Sequence, residues 1–174
     1  MAVLTVRRYG DPILRQAAAP VAAVTPEIKR IIDDMVDTMW HQVGIGLAAP
    51  QVGFSLRLLV MDDSRGGARA LINPVITDRG GSVREEEGCL SLPGIFAEVE
   101  RNKWIRVSAL DGDGQPVALE AEGLQAKVIQ HEMDHLDGVL FIDRLPPVTR
   151  DRIKKKIQKE GFPKAAAPQH AFAL

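Results

Sequence analysis

Apolar residues at Ile28, Ile31, Ile32, Met35, Met39 and Val43 recur at steps of three and four, the spacing of one helix face. Thr25-Pro26 ahead of them supplies an N-cap and a first-turn proline. The pattern predicts an amphipathic helix over 26–43, ended by Gly44. Compact apolar runs at Leu56–Met61 and Ala70–Thr77 read as strands, and Trp104–Leu110 alternates as a half-buried strand does. Asp111-Gly112 and Asp113-Gly114 form a turn across which Val117–Glu120 can pair back. Helical spacing resumes at Leu124, Val128, His131 and His135, a stripe expected to face the core, with Gly138 as C-cap. A last, basic helix is expected over Pro147–Glu160, and the alanine-rich segment from Phe162 reads as a loose tail. Strands clustered between helices, rather than alternating with them, predict an α+β fold. The organisation expected is one domain over 1–161 and a flexible tail over 162–174.

Composition narrows the function. The chain has 174 residues and a net charge of −1, with no basic excess of the kind nucleic-acid binders carry, so DNA is not an expected partner. No apolar run approaches the roughly 20 residues of a membrane span. The N-terminus lacks a secretory pattern. A single cysteine, Cys89, forms no internal disulfide, and the cytoplasm is the default compartment.

The sharpest chemical signal is His131-Glu132-Met133-Asp134-His135. Histidines four apart on a helix share a face and can grip one ion. A catalytic centre of this kind needs a third protein ligand and an open position. The extended pattern H-E-x-x-H-x-x-G-x-x-H matches at Gly138 but fails at Phe141. Of the remaining histidines, His170 sits in the tail and His41 near the end of the first helix, where it caps or faces solvent. Cys89, in Glu87-Gly88-Cys89-Leu90-Ser91 and away from any apolar run, is the better candidate. Its thiolate suits iron or zinc. The ligand set expected is Cys89, His131 and His135, with water in fourth place.

The segment Gly44-Ile45-Gly46-Leu47-Ala48-Ala49-Pro50-Gln51 superficially matches a dinucleotide fingerprint. A helix precedes it, however, and Pro50 and Gly53 leave no room for the helix that must follow, so nucleotide binding is rejected. Two readings remain open on the residues alone: a plain helix-to-strand turn, or a backbone that lies against an extended substrate with Gln51 offering its amide.

Taken together, Gly44–Gln51, Glu87–Ser91 and Gln130–His135 resemble the peptide deformylase family, whose signatures are a G-h-G-h-A-A-x-Q loop (h is hydrophobic), an E-G-C-h-S segment and a Q-H-E-h-D-H helix. The opening Tyr9–Arg15 is also similar, so the resemblance covers residues 5–160. It implies mixed or antiparallel strands packed around a central metal-binding helix. It implies a cytoplasmic enzyme that removes the formyl group from N-terminal formyl-methionine of new polypeptides, releasing formate. By the same resemblance Cys89, His131 and His135 hold iron(II), for which zinc, nickel or cobalt can substitute. Glu132 is the acid/base, and Gln51 and the Leu90 N–H are oxyanion donors. The substrate-facing set is Gly44, Ile45, Gly46, Gly88 and Val128.

Two competing functions are separable by residues. A metallopeptidase would take a carboxylate or histidine as third ligand in place of Cys89. A closed, non-catalytic site would need His41 as fourth ligand and would leave Glu132 without a task. Glu87 and Arg101 are a candidate pair holding the cysteine segment. Lys127, one turn before His131, is expected to line the pocket with its stem while its amine reaches solvent. Between Pro147 and Lys164 seven basic residues face two acidic ones, which makes this segment the candidate contact with ribosomal RNA.

Overall fold

The protein is described by a computed structural model over residues 2–163. The last part of the expected tail, and with it His170, lies outside the described residues. Among the described residues three α-helices, α1 (Pro26–His41), α2 (Gly123–Leu136) and α3 (Pro147–Glu160), accompany seven strands. The strands are β1 (Gly46–Ala48), β2 (Leu58–Asp62), β3 (Ala68–Gly80), β4 (Val83–Cys89), β5 (Leu92–Arg101), β6 (Trp104–Leu110) and β7 (Pro116–Glu122). Five form an antiparallel sheet in the order β1-β2-β3-β6-β7, and β4-β5 form a separate hairpin. The α+β expectation holds.

β2 shows why the layers assemble. Alternate side chains of a strand point to opposite faces, and four of its five residues are buried. Leu59 and Met61 face α2 through Ala126, Val128 and Ile129, while Leu58 and Val60 face α1 through Ile32, Met35 and Met39. The sheet is therefore covered by a helix on each side. A third apolar cluster, with Leu14, Leu92, Ile95, Phe141 and Ile142, lies under the β4–β5 hairpin.

Several boundaries differ from the sequence pattern. Helix α1 is capped by Thr25, whose Oγ1 accepts the Ile28 N–H, as expected. It stops at His41, because Gly44 N–H folds back onto the Met39 carbonyl and Val43 takes a left-handed conformation (φ 58°). Val43 is consequently exposed rather than the last member of the buried stripe. Leu124 is also exposed, and Ala126, Val128 and Ile129 supply the contact expected of it. In α3, Ile153 and Ile157 pack against the third cluster while Val148 faces solvent. Strands β1, β4 and β5 were not apparent in the apolar pattern. β4 carries three consecutive glutamates, and its strand conformation follows from pairing with β5 from Val83↔Arg101 to Gly88↔Phe96.

Helix α2 must stop sharply for the chain to turn under the hairpin. Gly138 does this with φ +73°, and a Cβ there would stand 2.7 Å from the backbone oxygen of Arg15. Neither contact partner is a side chain that can swing away. Gly138→Ala should cost about 1–3 kcal/mol of stability, as left-handed strain and a backbone clash combine. Urea unfolding checks this, and a loss under about 0.5 kcal/mol, the level of an ordinary surface substitution, would show the turn to be adaptable.

Candidate metal centre

The site is built from one strand end and one helix face. On β4, Glu87 and Cys89 are two apart and therefore share a face, and both are buried. The ladder shifts register between Gly88 and Cys89, the kind of irregularity that re-aims a side chain. On α2, His131 and His135 are four apart, with ring centroids 5.1 Å apart and planes at 71°. One donor atom each from Cys89, His131 and His135 falls within 4.8 Å of the others, and all three residues are buried. His135 Nε2 lies 3.4 Å from Cys89 Sγ.

These residues fit a metal ion. Buried polar side chains are almost always hydrogen-bonded, yet His131 Nε2 and both Glu132 carboxylate oxygens have no partner within the protein. Burial pushes the Cys89 thiol far up and holds both imidazoles below their ordinary range. The donors are thus two neutral imidazoles and one sulfur, a set that a divalent cation binds as thiolate and imidazoles. Exposed His41 does not join them.

The next layer orients the donors. Glu87 Oε1 stands 2.9 Å from His131 Nδ1 and fixes the ring so that Nε2 points inward. Arg101 donates to Glu87 through Nε and Nη2 at 2.8 and 2.9 Å, and through Nη1 to Asp134 at 2.6 Å. The pair expected from sequence therefore exists and is part of a larger chain, since Arg144 completes it with bonds of 2.7 and 3.1 Å to Asp134. Burial alone would raise the Glu87 carboxyl, but the hydrogen bonds from Arg101 and His131 outweigh it and hold it at about 2. Burial and the Glu87 charge push Glu132 well up. Asp134 and Arg144 were not singled out from sequence, because Asp134 flanks the histidine face of α2 and both of its arginine partners come from distant segments.

Gln51, in a 3₁₀ turn after β1, is locked at both ends of its amide. Its Oε1 accepts the Ala48 N–H at 2.9 Å, and its Nε2 donates to Ser91 Oγ at 3.1 Å and lies 3.6 Å from Cys89 Sγ. Ser91, which holds it, had no sequence signal beyond its place two residues after the cysteine. Leu90 sits in the tight connection between β4 and β5. Gly44 and Ile45 lead into β1. Gly46 is required by close approach, because a Cβ there would meet Val128 Cγ1 at 2.8 Å and Glu132 Oε1 at 2.9 Å. Gly88 is likewise covered, by the Phe96 ring at 2.5 Å from its would-be Cβ. The loop is thus a buried strand packed against Val128 and Glu132. Lys127 departs from expectation: it is only 6% exposed, and its Nζ donates to the Glu86 carbonyl at 2.6 Å instead of reaching solvent.

Comparison with known proteins agrees with this geometry. The profile of the polypeptide deformylase family matches residues 3–151. A peptide deformylase of Alkalilimnicola ehrlichii is 52% identical over 162 residues, 91% of each chain. One of Chromohalobacter salexigens is 52% identical over 91% of this chain and 95% of its own. Among solved structures, a Legionella pneumophila peptide deformylase superposes with a TM-score of 0.86 at 41% identity, covering 91% of this chain and 95% of its own. One of Synechococcus elongatus, in complex with actinonin, gives 0.85 at 42% identity, covering 94% and 88%.

The charge chain makes stability depend on acid. A carboxyl held at about 2 against an ordinary 4.5 contributes stability that is complete above pH 4.5 and is lost as pH falls towards 2. The metal-free protein should therefore lose unfolding free energy steadily below pH 4.5, and Glu87→Gln should flatten that slope while lowering stability at pH 7. Parallel pH profiles for parent and variant in urea titrations would remove Glu87 from the account.

Proposed function

The chain belongs to the polypeptide deformylase family, and on that premise we propose how this site takes the formyl group from N-formyl-methionyl polypeptides and releases formate. The observation that carries the proposal is Glu132, buried and without a hydrogen-bond partner, beside three donors converging within 4.8 Å.

Cys89, His131 and His135 hold the metal, which is iron(II) in the cell and which zinc, nickel or cobalt can replace. The cation supplies Lewis acidity and brings the pKa of water towards neutrality. Glu132 takes the proton of the attacking water, and its burial raises its affinity for that proton. The formyl carbon becomes tetrahedral, and the oxygen that gains charge is met by the Gln51 amide N–H and the Leu90 N–H. Gln51 arrives already oriented, since Ala48 and Ser91 fix both ends of its amide. Glu132 then gives the proton to the departing amine as the C–N bond breaks. The methionyl backbone lies along Gly44, Ile45 and Gly46, extending the sheet edge at β1, with Val128 and Gly88 bordering the side-chain pocket. A formyl carbon carries only hydrogen, so the close packing of Gly46, Val128 and Glu132 excludes larger acyl groups.

The enzyme works in the cytoplasm; among the described residues no helix is long and apolar enough to cross a membrane. Its partner there is the ribosome, approached through α3. That helix docks only through half-buried Ile153 and Ile157 and presents Arg150, Arg152, Lys154, Lys155, Lys156 and Lys159.

Glu132→Gln should retain its metal, measured by elemental analysis, and lose about 10²–10⁴-fold in turnover of a formyl-methionyl peptide, the usual contribution of an acid–base group. Turnover within about threefold of the parent, too small a change for such a group, would exclude Glu132 from proton transfer.

The triple substitution Lys154→Glu, Lys155→Glu, Lys156→Glu should leave hydrolysis of a short peptide intact. It should abolish co-sedimentation with ribosomes at low salt, because phosphate contacts by lysine are salt-dependent. Undiminished co-sedimentation of the variant would reduce α3 to a solvated surface helix.

A further inference from the structure

Behind α2, on the side away from the donors, lies a cleft of about 580 Å³. That is the size of a small-molecule site, well beyond what one ion fills. Gln130, Met133 and Asp134 of α2 contribute to it, and β3 and the 3₁₀ turn before α3 contribute Arg79 and Arg144.

Charge in the cleft is unevenly matched. Every carboxylate that lines it is already bonded: Asp134 to Arg101 and Arg144, Asp137 to Arg57 at 2.9 Å, and Glu100 to Ser82 Oγ at 2.6 Å. The guanidinium groups are not exhausted. Among the described residues Arg57 uses only Nη1, on Asp137 and the Leu136 carbonyl. Arg144 uses Nε and Nη2 on Asp134 and keeps Nη1. Arg79 is exposed at the rim and forms no ion pair among the described residues. Beside these donors, Val75 is 58% exposed, a large uncovered apolar surface for a strand residue, and Met133 is half-buried.

We propose that this cleft binds a small phosphate monoester, its phosphate held by Arg79, Arg144 and Arg57 and its apolar body resting on Val75 and Met133. Three guanidinium groups offer more donors than the two oxygens of a carboxylate can accept, whereas a phosphate monoester presents three terminal oxygens and nearly two negative charges. The arginine forks match those oxygens two at a time. The proposal is independent of the reaction assigned to the metal centre, which faces the other side of α2.

The test is calorimetric titration of the metal-loaded full chain with phenyl phosphate and with inorganic phosphate, paired with amide-shift mapping by NMR. Saturable binding of phenyl phosphate is expected, tighter than that of inorganic phosphate because of the apolar contact. Shifts should fall on 74–82 and 130–137. Arg79→Gln and Arg144→Gln should each weaken phenyl phosphate about tenfold, the scale of losing one charge-assisted contact. Arg8→Gln, an exposed arginine elsewhere, should leave affinity unchanged. Arg79→Gln is a surface change, and an unaltered melting temperature without ligand establishes that it folds. Absence of saturation, equal affinity in the Arg79 and Arg144 variants, or loss of binding only when Lys154, Lys155 and Lys156 are reversed would each overturn the proposal.

Discussion

A carboxyl with no access to solvent stays ionised only when a cation and hydrogen bonds hold it so, and the centre depends on how Glu87 meets that condition. Removing an ion from water costs several kcal/mol even after relaxation, so an unpaired Glu87 would take up a proton instead. Arg101 prevents this with two hydrogen bonds and is itself held by Asp134, which Arg144 secures from outside. The consequence is mechanical as well as electrostatic. The β4–β5 hairpin is not hydrogen-bonded into the five-stranded sheet, yet it carries Cys89, while α2 carries His131 and His135. Glu87 on β4 touching His131 on α2, and Arg101 on β5 touching Asp134 on α2, fasten these two elements in one relative position. The donors converge because the charges behind them are paired.

Close packing supplies the second constraint. The backbone of β1 approaches α2 so nearly that Gly46 leaves no room for a Cβ between Val128 and Glu132. The carboxylate of Glu132 is thereby walled in on one side by a strand and shielded from water. Shielding strengthens its affinity for a proton, which suits the proton transfer proposed for it.

The metal centre was legible in the sequence because its ligands obey local rules. His131 and His135 are one helical turn apart, and Cys89 stands outside every apolar run. The layers were legible where β2 and α1 follow simple periods. The β4–β5 hairpin was not, since Glu85, Glu86 and Glu87 look like a solvated run and only tertiary contact makes Glu87 an interior residue. Lys127 misled for the same reason: its amine finds the Glu86 carbonyl, a partner fixed by the hairpin's position rather than by anything near it in sequence. Val43 and Leu124 follow the helical period yet lie outside the core, since α1 ends before Val43 and periodicity does not say how far along α2 the sheet extends.

The central claim is that one sulfur and two imidazoles form the metal centre. X-ray absorption spectroscopy of the zinc-loaded protein addresses it most directly. The account predicts one sulfur scatterer at about 2.3 Å and nitrogen or oxygen scatterers at about 2.0–2.1 Å, two of them showing the outer-shell pattern of imidazole. Loss of the sulfur shell in Cys89→Ser, with the imidazole shells retained, would complete that result. A spectrum without sulfur in the parent protein, or with three imidazoles, would contradict it.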